Sequence, residues 1–222
     1  TPYTYKQISF GELSDVIART AKNLQTLGIK KNDRVIIFLP MSLELYVSMF
    51  AIQRLGAIAV FLDSWARRDQ LGASAECVEP VGMISHQMAF ELIDGVKEFE
   101  LMKYKIIAGP GNNTNYTARL EDLITTNNGP SKMEPVFSES TALITFTTGS
   151  SGKPKGANRT HRFLAAQHKE LNDVIPYTEA DKDLPAFPIF SLNNIASGVT
   201  TIIPALNLAN PTPSDSAILV NQ

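Results

Sequence analysis

Ten consecutive residues at 147–156, TTGSSGKPKG, combine the groups that hold a polyphosphate. Gly149, Gly152 and Gly156 carry no side chain, so the backbone there can turn sharply and aim successive N–H groups at one anion. Thr147, Thr148, Ser150 and Ser151 add hydroxyls that donate hydrogen bonds. Lys153 and Lys155 supply cations for charge-assisted contacts, and Pro154 stiffens the chain between them. A polar surface turn is the competing reading of any Gly/Ser-rich stretch. Position decides against it here: residues 141–147 form an apolar, β-branched run that predicts a strand leading into the loop, and 160–171 predict a helix after it. A loop joining such a strand to a helix lies at the carboxyl edge of a parallel sheet, where ligands bind. Counting on from Gly149, Pro154 stands where a Walker A loop needs its second glycine, and the spacing is not that of the dinucleotide fingerprint either.

The elements that must position this loop are read from the periodicity. Ser9 followed by Glu12 makes a capping-box pattern, and apolar residues then recur at helical spacing from Leu13 to Leu27 until Gly28 ends the run. Residues 35–39 are continuously apolar and stop at Pro40, which suits a strand buried on both faces. Ser42 can cap a helix over 43–55. The alternation continues with strands at 57–62, 81–85 and 104–108 and helices at 67–77 and 88–99. Strands separated by helices of this length predict an α/β fold, a mostly parallel sheet with helices on both faces. Residues 109–116 and 127–135 read as polar surface connections, with a possible subdomain boundary near 131–140. Beyond Pro176 the pattern loosens, with strand candidates at 184–187 and 199–203 around a polar segment at 191–197.

Composition narrows the partners. A net charge of -2 and a pI near 5.9 provide no field to attract nucleic acid, and no Lys/Arg block marks a membrane patch. Apolar runs fall well short of the ~20 residues that span a bilayer. Small molecules or protein are the expected partners. Cys77 is the one cysteine and falls in a helical pattern with Ala75 and Val78, so it is expected to pack inside a protein of the reducing cytoplasm. His86 and His168 have no metal-ligand partners at suitable spacing and are expected on the surface or within helices.

The decapeptide closely resembles the [ST]-[ST]-G-[ST]-[ST]-G-x-P-K-G signature of the adenylate-forming superfamily, which includes acyl-CoA synthetases, luciferases and peptide-synthetase adenylation domains. Residues 4–63 are similar to that family's N-terminal region, with its "kGDRV" strand, "P-x-S-x-E" turn and "GA-x-x-V" segment, and Thr160-His161 to its "TH" pair. Residues 185–206 are most similar to the corresponding stretch of olefin-biosynthesis β-lactone synthetases and their acyl-CoA ligase relatives.

The resemblance implies ATP-dependent activation of a carboxylic acid, a fatty acid in the first instance, to an acyl-adenylate. Transfer to coenzyme A would follow, with magnesium (Mg2+) accompanying the ATP. Residues 147–155 would close over the β- and γ-phosphates, Lys155 being the phosphate-loop lysine. The family's acyl pocket is lined by P-L-F-H-x-x-G, matched here by residues 188–194, with Ser191 in place of the usual His and Asn194 in place of Gly. That resemblance assigns Phe190 and Ser191 to the pocket, while His161 is either a helix-start residue or a group flanking it. A β-lactone-forming enzyme acting on a 3-hydroxy acid, and a module that only binds a nucleotide or acyl group, are the alternatives. Both chain ends look cut. The chain is expected to be an incomplete N-terminal part of the large adenylation domain, without the C-terminal domain that carries the family's catalytic lysine, and inactive by itself.

Overall fold

The computed structural model describes residues 6–62, 68–111, 115–148 and 154–205. The expected capping box forms: Ser9 Oγ accepts from Glu12 N at 3.2 Å and the Glu12 carboxylate accepts from Ser9 N at 2.8 Å, starting α1 (Phe10–Leu27). Gly28, at φ +113°, closes it in the left-handed conformation. In β1 (Arg34–Phe38) alternate side chains serve two cores, Val35 and Ile37 packing on one face of the sheet and Ile36 on the other. Then follow α2 (Leu43–Arg54), capped by Ser42 Oγ at Leu45 N, and β2 (Ile58–Phe61). Next come α3 (Arg68–Val78), β3 (Gly82–Ser85), α4 (Gln87–Leu92), α5 (Lys97–Glu100) and β4 (Tyr104–Ile107). The single helix expected over 88–99 is two short ones, because Gly95 takes φ +68° and turns the chain between them.

Past the first polar connection, β5 (Ala118–Arg119) and α6 (Leu120–Thr125) add elements that the pattern did not predict. The second connection is pinned across the helical layer. Ser131 N donates to Ala18 O, Glu134 N to Arg54 O, and the Arg54 guanidinium to Ser131 O at 2.9 Å. The long strand β6 (Thr141–Thr148) follows, then β7 (Pro154–Thr160), α7 (His161–Val174), β8 (Lys182–Asp183), α8 (Pro188–Ser197) and β9 (Thr200–Thr201).

The main sheet has the order β5-β4-β3-β1-β2-β6-β7, all parallel except β7, which returns antiparallel to β6. α1, α2 and α6 cover one face, and α3, α4 and α5 the other, so the expected α/β class with helices on both faces is the observed one. Several expectations are corrected. The loop after β6 leads into a strand, not directly into a helix, because β7 is a solvent-facing edge strand whose Lys155, Asn158 and Arg159 hide any apolar alternation. The polar segment at 191–197 is helix α8, opened by Pro188 at its first turn and closed by Gly198 at φ +73°. The flanking strands shrink to the two-residue pair β8–β9. Cys77 is exposed, on the outer side of α3, and does not pack inside. No described helix is long and apolar enough to cross a membrane.

Candidate phosphate site and adjoining cleft

β6 runs parallel to β2, with Leu143 beside Ala59 and Thr145 beside Phe61, so Thr147 and Thr148 emerge at the carboxyl edge of the parallel strands. The chain returns with Pro154 paired to Thr148, Lys155 to Thr147 and Gly156 to Phe146. Residues 149–153 (Gly149, Ser150, Ser151, Gly152 and Lys153) lie outside the described residues, as does the side chain of Thr148. What the structure brings together is the base of the loop, where Thr147 and Lys155 face each other across an antiparallel pair, both exposed. Cross-strand partners share a face, so an alcohol and an ammonium point the same way. Gly156 is not part of the turn. It sits inside β7 with ordinary φ, and its missing side chain leaves room for the Phe146 ring, whose Cζ would be 3.2 Å from an added Cβ.

The same column of side chains continues along the hairpin. Arg159 lies four residues after Lys155, on the same face of β7, and its Nε reaches Thr145 Oγ1 at 3.4 Å while its guanidinium stands over the Phe163 ring at 5.2 Å. Sequence reasoning missed Arg159. Its even spacing from Lys155 is the signal that would have found it, once 154–160 is read as a strand.

His161 begins α7 at the opposite end of β7, and six residues of strand put it on the order of 20 Å from Lys155. Its backbone N–H donates to Ser140 O, and partial burial holds its imidazole pKa below the ordinary value. Thr160 Oγ1 caps the helix by accepting from Phe163 N at 3.1 Å. His86 likewise stands at a helix start, its Nδ1 2.8 Å from Ala108 O. Among the described residues no group of His, Cys, Asp or Glu is arranged to hold a metal ion.

α8 meets α2 and α7 on the face of the sheet that carries Leu143, which by strand alternation is also the face of Thr147 and Lys155. Ser191 is fully buried against Tyr46 of α2. The Tyr46 phenol donates to Pro188 O at 3.3 Å, and burial pushes its pKa up to about 12. Ser191 Oγ lies close enough to temper that rise but makes no hydrogen bond of normal geometry. Phe190 and Phe187, at the start of α8, are 37% and 64% exposed. Between the three helices lies a cleft of about 290 Å3, and none of His161, Phe190 or Ser191 lines it. Its walls are apolar, with a polar seam at the junction of α7 and α8. There His168 Nδ1 meets Asn193 Oδ1 at 2.9 Å, His168 Nε2 meets Asn172 Nδ2 at 3.3 Å, and Ser197 Oγ donates to Asn172 Oδ1 at 3.0 Å. An amide oxygen thus faces one ring nitrogen and an amide nitrogen the other.

A family profile described as AMP-binding enzyme matches residues 2–207. The chain is 26% identical over 209 residues to an olefin β-lactone synthetase of Xanthomonas campestris, covering 94% of this chain and 37% of that protein. It is 31% identical over 179 residues to an acetyl-coenzyme A synthetase of Cupriavidus taiwanensis, covering 71% of this chain and 26% of the relative. Its fold superposes on the o-succinylbenzoate CoA synthetase of Bacillus subtilis, solved with its acyl-adenylate intermediate, with a TM-score of 0.77 at 20% identity, covering 99% of this chain and 54% of that one. The chain thus spans about a third of the length of the curated relatives it matches. The hairpin at the carboxyl edge, the sheet order and the extent of the family match lead to one conclusion: the chain belongs to the family of AMP-binding enzymes.

Proposed function

We propose that these residues form part of the N-terminal adenylation domain of a longer, cytoplasmic acid–thiol ligase, which activates a carboxylic acid with ATP and passes the acyl group to coenzyme A. The observation that carries the reading is the β6–β7 hairpin, where Thr147 and Lys155 face each other at the carboxyl edge and continue into GSSGK. Lys155, with the hydroxyls of Thr147, Thr148, Ser150 and Ser151, binds the β- and γ-phosphates and stabilises the charge that grows as pyrophosphate leaves. Gly149 and Gly152, with no side chains, would leave the neighbouring backbone N–H groups open to the same oxygens. Magnesium carried in with the nucleotide would spread the remaining phosphate charge. Arg159, on the same face of β7 as Lys155, stands over the Phe163 ring and steadies α7.

A second reading is favoured by the match to the Xanthomonas campestris protein across 94% of this chain. In it, the acyl group of a 3-hydroxy acid is captured by its own hydroxyl to give a β-lactone instead of a thioester. A panel of acids offered to the full-length protein separates the two, scored first for pyrophosphate release and then for thioester or lactone. Thioester formation on plain acids supports the ligase; lactone from 3-hydroxy acids with no thioester replaces it by the second reading. The 222 residues alone are expected to show no ATP–pyrophosphate exchange, and turnover by them would overturn that expectation.

A further inference from the structure

Side chains on one face of the β6–β7 hairpin form a ladder that begins at the phosphate loop. Thr147 stands opposite Lys155, Thr145 opposite Ala157 and Leu143 opposite Arg159. Arg159 does not stay at its own level. Its Nε donates to Thr145 Oγ1 at 3.4 Å, so the side chain leans one step along the ladder toward the loop. That sets its guanidinium two residues of strand, about 7 Å, from the level of Thr147 and Lys155. Two contacts hold it there, the Thr145 hydroxyl and the Phe163 ring at 5.2 Å, and neither carries a charge. Among the described residues no carboxylate pairs with Arg159, and its two terminal nitrogens have no hydrogen-bond partner. Thr145 accepts from Nε and so keeps its own O–H to donate. Between the two cations β7 carries on this face only the exposed methyl group of Ala157, which leaves the strip open.

A guanidinium steadied by neutral partners, with its flat fork free, is preorganised for an oxyanion, because binding costs it little further ordering. We propose that Arg159, helped by the Thr145 hydroxyl, holds the α-phosphate of the nucleotide, the phosphate at which the acid attacks. The proposal rests on the adenylating reading above, in which the loop and Lys155 take the β- and γ-phosphates, and adds to it a second catalytic cation. The order of the ladder supports it: beyond Lys155, the next cation along this face of β7 is Arg159. In the step itself a carboxylate oxygen of the acid bonds to the α-phosphorus, the bond from that phosphorus to the bridging oxygen breaks, and pyrophosphate leaves with the electron pair. Charge shifts among the α-phosphoryl oxygens as this happens, and a fixed guanidinium beside them stabilises it without having to reorient.

The test separates the phosphates by using ligands that carry only some of them. AMP, pyrophosphate and ATP are titrated calorimetrically, with magnesium and without any acid, into the full-length protein and its Arg159→Gln and Lys155→Ala variants. Circular dichroism melts establish that each variant is folded. Arg159→Gln should weaken AMP and ATP roughly tenfold, the effect of losing one charge-assisted contact, and leave pyrophosphate within about twofold. Lys155→Ala should do the reverse, weakening pyrophosphate and ATP while sparing AMP. Should Arg159→Gln fail to fold, Arg159→Lys, which keeps the charge but not the fork, is read in the same way with a smaller loss. Unchanged AMP affinity in the Arg159 variant would overturn the proposal, whether or not the acid then binds less well. So would no AMP binding by the unaltered protein, or a loss of equal size for all three ligands, which is what a purely structural role through Phe163 and α7 produces. Pyrophosphate binding that ignores Lys155→Ala would instead sink the phosphate-loop reading, and the AMP result for Arg159 would still stand.

Discussion

Gly156 stands opposite Phe146 in the hairpin, and the consequence of giving it a methyl group can be worked out. A Cβ at this position would lie 3.2 Å from Phe146 Cζ, 3.3 Å from Cε1 and 3.4 Å from Ile144 Cγ2. The two ring distances are shorter than ordinary van der Waals contact, so the ring must move by a few tenths of an ångström. Phe146 is only 6% exposed and packs in the same cluster as Ile36, Val60 and Met83, which leaves little freedom to yield. Overpacking of this kind costs about 1–3 kcal/mol, and replacing a strand glycine by alanine returns roughly 0.5–1 kcal/mol of it. Gly156→Ala should therefore lower stability by about 1–2 kcal/mol, read as a fall of roughly 2–4 °C in melting temperature per kcal/mol for a domain of this size. Adding Phe146→Leu makes room for the methyl, so the double variant should lose about 1 kcal/mol less than the sum of the singles. Urea unfolding of the four proteins measures this. Strict additivity, or a Gly156→Ala variant as stable as the parent, would refute the packing role assigned to Gly156.

Asn23 donates to Leu123 O at 2.7 Å and Thr126 O at 2.9 Å and accepts from Asn128, tying α1 to the chain after α6. Asn23→Ala should cost about 3 kcal/mol at roughly 1 kcal/mol per bond, seen in the same urea titrations. Thr160→Ala removes the cap of α7 and should cost about 1 kcal/mol, with amide exchange accelerated mainly in the first turn of that helix. The pKa of His161 is lowered by burial, so the unfolded chain takes up the proton more readily than the folded one, and stability falls as pH drops through the unfolded value of 6.5. Between about pH 7.5 and about pH 5.5 the parent should lose more stability than His161→Gln, and parallel losses would remove that assignment.

The central sheet was legible because its strands are buried on both faces. Val35, Ile36 and Ile37 form an apolar run that fits no surface element, and the capping box at Ser9 and Glu12 announces its helix in four residues. The edge strand of the sheet was not legible. β7 shows the sequence PKGANRT because it is an edge strand, and nothing in it alternates. α8 misleads in the opposite way: Ser191, Asn193 and Asn194 look like a surface segment yet are buried, since their partners are Tyr46, His168 and Asp183 on other elements. Cys77 errs for a related reason, as helical spacing alone does not say which side faces the core. At the candidate site, the chemistry of the phosphate loop was readable from residue types, but the cleft was not. Its lining joins Met49 to Leu171 and Ile195, residues far apart in the chain that only the packing of three helices brings together.

The claim on which the account turns is that the β6–β7 loop binds the phosphates of ATP during adenylation, and ATP–pyrophosphate exchange by the full-length protein tests it most directly. Removing one charge-assisted phosphate contact is worth about 1.5–3 kcal/mol, so Lys155→Ala should slow exchange tenfold to a hundredfold, with Ser151→Ala giving a smaller loss in the same direction. Exchange at the parent rate in both variants, with each still folded, would contradict it.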